Sequence, residues 1–146
     1  MANVRNLLEG KPVFSIQQGF SVFEAVKFMA EKKVGAVPVL NGTQLMGIFS
    51  ERDVITRVVA KELDPKTILV ESVMTKNIVV ANADENFDDC LRKMKAANCR
   101  HLPVVSGDRL LGIVSLRDIL QNEISDKEQM LEYLNSYLFH VPPEAK

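Results

Sequence analysis

Two short stretches of this chain carry the same three polar side chains at the same spacing. GIFSERD at 47–53 and GIVSLRD at 112–118 share glycine, isoleucine, serine, arginine and aspartate, 65 residues apart. Ser50 and Ser115, each with an aspartate three residues on (Asp53, Asp118), have the spacing of a helix start. The hydroxyl takes a free N–H of the first turn and the carboxylate opposes the helix dipole. Capping accounts for serine and aspartate but not for Arg52 and Arg117. A cation in the first turn meets the positive end of the dipole and is mildly unfavourable unless an anion offsets it. Free backbone N–H groups, a hydroxyl and a guanidinium together suit a phosphate. A carboxylate would repel a phosphate that it touched, but it accepts hydrogen bonds well from a pair of sugar hydroxyls. The triplet therefore reads as a seat for a ribose and a phosphate, written once per copy.

The residues around each triplet extend the reading. Gly47 and Gly112 permit close backbone approach, and a bend in the strand is an equal explanation. Pro38 and Pro103 remove a ladder donor at matching places, which predicts a strand edge there. Free edge groups can read the donors and acceptors of a purine, with Val34, Val37 and Ile48 as apolar walls.

The elements that must position these groups also come in duplicate. Residues 13–55 align with 78–120 without a gap, and nine of eighteen positions from Pro38 to Ile55 recur, as expected of an internal repeat. Each copy opens with a β-like run, VFSI or IVVA. A helix follows, started by Ser21 with Glu24 or by Asn86 with Asp89. Its apolar face is Val22, Ala25, Val26 and Met29, or Phe87, Cys90, Leu91 and Met94, at i, i+3, i+4, i+7. Then come VGAVPVL or CRHLPVV, a turn at Asn41-Gly42 or Ser106-Gly107, and LMGIF or LLGIV, a hairpin pattern. The triplet leads into a last helix, VITRVVAKEL or ILQNEI.

The expected fold is α+β, a mixed α/β chain of tandem β-α-β-β-α repeats. One unit of this kind is too small to bury much core alone, so its twin is the expected cover, as a pseudo-twofold pair. Residues 1–63 form the first repeat with its N-terminal segment, 64–124 the linker and second repeat, and 125–146 a C-terminal amphipathic helix and tail. In that tail Met130, Leu131, Leu134, Tyr137 and Leu138 make one stripe, to be covered by the chain's own body or by a second chain.

Composition narrows the function. At 146 residues with a formal net charge of -1, the chain has no basic field for nucleic acid. It has no apolar run of membrane-spanning length and no signal-peptide pattern, which predicts a cytoplasmic protein with neither nucleic-acid nor membrane partners. Two cysteines and two histidines offer no zinc spacing. Cys90 reads as a small buried hydrophobe, and Cys99 shares a strand face with His101 without a third group to orient the pair. His140 reads as a solvated tail residue. No phosphate-loop or dinucleotide glycine motif is present, so an enzyme is not expected.

Together, GIFSERDVI and GIVSLRDIL, each after a P-V-hydrophobic strand and an Asn/Ser-Gly turn, resemble the CBS domain pair (cystathionine β-synthase domain, or Bateman module) over residues 4–124. The resemblance implies a regulatory module that binds AMP, ADP, ATP, NAD(H) or S-adenosylmethionine in two clefts shared between the copies, with no catalytic cofactor. Carried over residue by residue, one cleft would use Ser50, Arg52 and Asp53 with Thr75, Asn77, Val79 and Cys99. Its mate would use Ser115, Arg117 and Asp118 with Lys11, Pro12, Phe14 and Val34. Arg100 and His101 stand where the family places phosphate contacts. Serine at position 50, where threonine is common, and arginine at 117 depart from its usual pattern. Because Arg100-His101 matches Gly35-Ala36 in the first copy, the clefts are expected to differ in affinity. Partners implied are an adenosine-containing molecule, a second copy in a homodimer and an unknown regulated protein. The competing reading is a dimerisation scaffold with unoccupied clefts.

Overall fold

The computed structural model describes residues 3–139. Its two halves repeat one plan. Strand β1 (Ile16–Gln17) runs parallel to β2 (Ala36–Asn41), which pairs antiparallel with β3 (Gln44–Ser50). In the second half β4 (Ala81–Asn82), β5 (His101–Ser106) and β6 (Arg109–Ser115) do the same. Both hairpins turn on a glycine with positive φ, Gly42 at 66° and Gly107 at 61°, the conformation that a tight hairpin asks of that position. Register matches as well: Pro38 faces Ile48 as Pro103 faces Ile113, with a bulge one residue later in each.

Helices α2 (Val22–Lys32) and α4 (Phe87–Ala97) cover the sheets. Ser21 and Glu24 cap α2 reciprocally, each side chain bonding the other's backbone N–H at 3.1 Å. Asn86 accepts from the Asp89 N–H at 2.8 Å to cap α4. Left-handed Lys33 and Asn98 end them. The buried faces are Val22, Ala25 and Met29, and Phe87, Cys90 and Met94.

Four expectations need correction. The opening strands lie later than expected: of the short runs VFSI and IVVA only Ile16 and Ala81 reach a partner, and the strands run on to Gln17 and Asn82. Strands β2 and β5 are central, not edge strands. Proline is tolerated because the parallel partner begins one residue later, at Val39 and Val104, so no donor is wanted at Pro38 or Pro103. The helix after the first triplet is brief: α3 (Glu51–Asp53) widens into a π-helical stretch over Val54–Val59. The second triplet opens α5 (Leu116–Phe139), one helix where two segments were expected; no glycine or proline interrupts its sequence.

The core is two clusters, and each copy completes the other's. The linker residues Val70, Val73 and Met74 pack into the first cluster. Val4, from the short α1 (Val4–Leu8) that the sequence reading did not foresee, packs fully buried into the second. Isolated bridges tie Leu69 to Ser21 and Asn3 to Asn86, so each leading segment is pinned beside the helix start of the far copy. This exchange makes the pair one body. In α5, Ile119 is buried, whereas Met130, Leu131 and Leu134 remain exposed; the chain's own body does not cover that stripe. The side chains of Tyr137 and Leu138, and all of His140, lie outside the described residues.

Candidate functional site

The second triplet opens on a cleft of about 930 Å³ between the copies. Lys11, Pro12, Phe14 and Val34 line it from the first copy, and Arg100, His101, Ser115, Arg117 and Asp118 from the second. The seven residues that the sequence assigned to this cleft stand around one space, together with Arg100 and His101, which it had assigned to neither cleft. Ser115 caps α5 by accepting from the Asp118 N–H at 3.1 Å, and Asp118 Oδ2 accepts from the Ser115 N–H at 3.3 Å. No other hydrogen bond and no salt bridge engages the Asp118 carboxylate among the described residues, and it faces the cleft. Ile113 also lines the cleft.

The charge of the cleft favours an anion. Lys11, Lys33, Arg100 and Arg117 outnumber Glu51 and Asp118, and a low-dielectric wall strengthens that field. Burial lowers the His101 pKa below the ordinary histidine value; Glu51 and Asp118 oppose that shift and Arg100 adds to it. An arriving anion reverses the balance in favour of imidazolium. Sequence reasoning missed Lys33 and Glu51. Glu51 belongs to the first motif but turns into this cleft, its Oε1 lying 2.6 Å from where a Cβ on Gly35 would stand. Its signal was a charge at the position that the second motif fills with Leu116.

The first triplet is arranged otherwise. Asp53 is 5% exposed. Its carboxylate accepts from Ser50 N (3.0 Å), Ser50 Oγ (3.2 Å) and Thr75 Oγ1 (3.2 Å), and pairs with Arg57 Nε at 3.6 Å. Arg52 reaches the Asn98 carbonyl at 3.5 Å. Val79 and Cys99 pack against the second core cluster, and Asn77 is exposed. None of Ser50, Arg52, Asp53, Thr75, Asn77, Val79 or Cys99 lines the open cleft. Of the proposed apolar walls only Val34 faces the open cleft; Val37 is fully buried, and the Ile48 backbone is bridged to Thr75.

The cysteines are not activated. Burial pushes the Cys90 thiol up to about 11, with Glu85 adding and Lys93 opposing. Burial also raises Cys99, against a hydrogen bond from the His101 backbone and the nearby Arg52 charge. Among the described residues no cluster of His, Cys, Asp and Glu could hold a metal ion, and no helix is long and apolar enough to cross a membrane.

Known proteins repeat this geometry. The CBS domain matches twice, at residues 4–60 and 70–124. The CBS domain-containing protein CBSCBSPB2 of Arabidopsis thaliana is 34% identical over 119 residues, 81% of this chain and 22% of its own length; the chain thus spans about a fifth of that relative. A protein with CBS domains from Burkholderia ambifaria superposes with a TM-score of 0.80 at 33% identity, over 86% of this chain and 96% of the other. The CBS domain pair of protein MJ0100, solved in complex with 5'-methylthioadenosine and S-adenosyl-L-methionine, gives a TM-score of 0.77 at 29% identity, covering 86% and 98%. Two matched domains, two identically registered sheets and a cleft between them carry one conclusion: the chain belongs to the CBS domain family, as a tandem pair forming a regulatory module.

Proposed function

We propose that this chain senses an adenosine-containing anion, an adenine nucleotide or NAD(H), in the cleft at the second triplet. The observation that carries the reading is the Asp118 carboxylate, held in place through Ser115 and facing a cleft with four surrounding cations. Asp118 accepts the two ribose hydroxyls. Arg117 and Ser115, with Arg100, Lys11 and His101 across the cleft, take the phosphate, guanidinium and backbone donors being strong partners for it. The purine lies toward Val34, Phe14 and the outward backbone of Ile113. The complex of protein MJ0100 with two adenosine compounds supports the class of ligand.

Because both copies line the cleft, a ligand fixes their relative position to the extent that it prefers one arrangement. Leu120 and Ile124 of α5 line it too, and α5 continues to Phe139 as a rod of 24 residues, about 36 Å long. We place the readout there: occupancy at the root of α5 alters what its exposed stripe offers to a second copy or a regulated protein. Thermal unfolding with AMP, ADP, ATP, NAD and S-adenosylmethionine tests the reading. A ligand at a hundredfold its Kd stabilises by about 2.7 kcal/mol, which is a rise of roughly 5–10 °C for a chain of this size. No shift with any of the five would leave the scaffold reading.

A further inference from the structure

The two motifs are near-identical in sequence, yet the chain's own linker occupies one of them. At Ile48 the N–H donates to Thr75 O at 3.0 Å and the C=O accepts from Thr75 N at 2.9 Å. The edge that would face a guest at the first triplet is therefore paired with residue 75. In the second copy the equivalent edge residue, Ile113, has the same register opposite Pro103. Among the described residues no bridge joins it to the matching segment at Gly10 and Lys11, and it lines the open cleft.

Side chains fasten the first edge shut. Thr75 Oγ1 binds Asp53, using the carboxylate that a ribose would need. Arg57 Nη1 donates to the carbonyls of Val73 (3.3 Å) and Met74 (3.1 Å) while its Nε pairs with Asp53. Gly47 lets the strap lie close; a Cβ there would stand 2.7 Å from Thr75 O. Among the described residues the second copy has no such fastening. The residue matching Arg57 is Asn122, and the one matching Thr75 is Gly10.

We infer that Arg57 and Thr75 decide the occupancy of this module: they latch the first cleft with the linker, so that each chain takes one ligand, at the second triplet. This rests on the proposed adenosine reading for the identity of the ligand, but the latch is measurable without one.

Calorimetry with ADP, then AMP, ATP and S-adenosylmethionine, should give one site in the wild type, none in Asp118→Asn, and two in the folded double variant Arg57→Asn/Thr75→Ala, whose asparagine is the second copy's residue and whose alanine removes the hydroxyl that binds Asp53. Two sites in the wild type, a site surviving in Asp118→Asn, or a single site in the unlatched variant would overturn the inference. If no probe binds any variant, the adenosine reading fails, and amide hydrogen exchange on the ligand-free wild type judges the latch alone. The Ile48 and Thr75 amides should exchange at least about tenfold more slowly than that of Ile113. Equal rates would refute the latch, as would unchanged Thr75 protection in Arg57→Asn.

Discussion

Alanine at position 53 and alanine at position 118 are the same substitution at equivalent points of two repeats, and the structure makes their consequences opposite. Asp53→Ala leaves Ser50 N and the Thr75 hydroxyl without their acceptor beneath a side chain that is 5% exposed. Each buried partner so orphaned costs about 1–3 kcal/mol. Arg57 is half-exposed, so it regains water and adds little beyond that. The expected loss is about 2–6 kcal/mol, which at about 2–4 °C per kcal/mol lowers Tm by roughly 4–24 °C. Asp118→Ala removes one acceptor, for Ser115 N, at a partly exposed position, and leaves the serine cap on α5 intact. Its cost should stay near about 1 kcal/mol. The ligand-dependent shift reverses the order: Asp118→Ala abolishes it, whereas Asp53→Ala starts from a lower Tm. Urea denaturation with and without ADP, on both variants and the wild type, separates the two effects. Equal losses of stability at 53 and 118 would refute the argument, since they would mean that the two carboxylates sit in equivalent surroundings.

Gly47→Ala forces the Met74–Thr75 strap to move, because its Cβ would meet Thr75 O at 2.7 Å and Met74 Sδ at 2.9 Å; overpacking of this kind costs about 1–3 kcal/mol, readable as a fall in urea midpoint at unchanged slope. His101 has a depressed pKa in the folded chain, so it contributes instability as pH falls below the unfolded value near 6.5. Anion binding, by contrast, should tighten over the same fall, and His101→Gln should flatten the pH dependence of the ADP Kd. The Cys90 thiol, raised to about 11 from 9.0, keeps its proton longer when folded, so stability should drop as pH rises from 9 toward 11; Cys90→Ala should make that limb shallower in alkaline urea titrations. Leu131→Glu with Leu134→Glu places charge on the exposed stripe of α5. If that stripe joins two copies, light scattering will report a monomer where the wild type is a dimer, and an unchanged mass would rule the stripe out.

Local rules made the repeating plan legible in the sequence. The reciprocal cap at Ser21 and Glu24, the apolar spacing of α2 and α4, and the glycine turns at 42 and 107 each depend on neighbours within a few residues. The recurrence of nine of eighteen positions from Pro38 to Ile55 then pointed to paired hairpins of one kind, and their registers match. The nine residues around the open cleft could be named because resemblance carried them from a known arrangement; nothing in their spacing says that Lys11 and Asp118 meet. Long-range pairing decided the rest. Whether β2 is central or an edge depends on where β1 ends, and Val4 is core only because its segment crosses to the far copy. Glu51 enters the cleft of the other motif through tertiary placement alone. Most of all, SERD and SLRD differ by one letter, yet Asp53 is sealed and Asp118 faces open space. A serine three residues back holds each carboxylate alike; what differs is what else reaches it, Thr75 of the linker strap and Arg57 in one case and the open shared cleft in the other. A motif fixes which groups are offered, but the surrounding chain determines whether a guest or a neighbouring strand takes them.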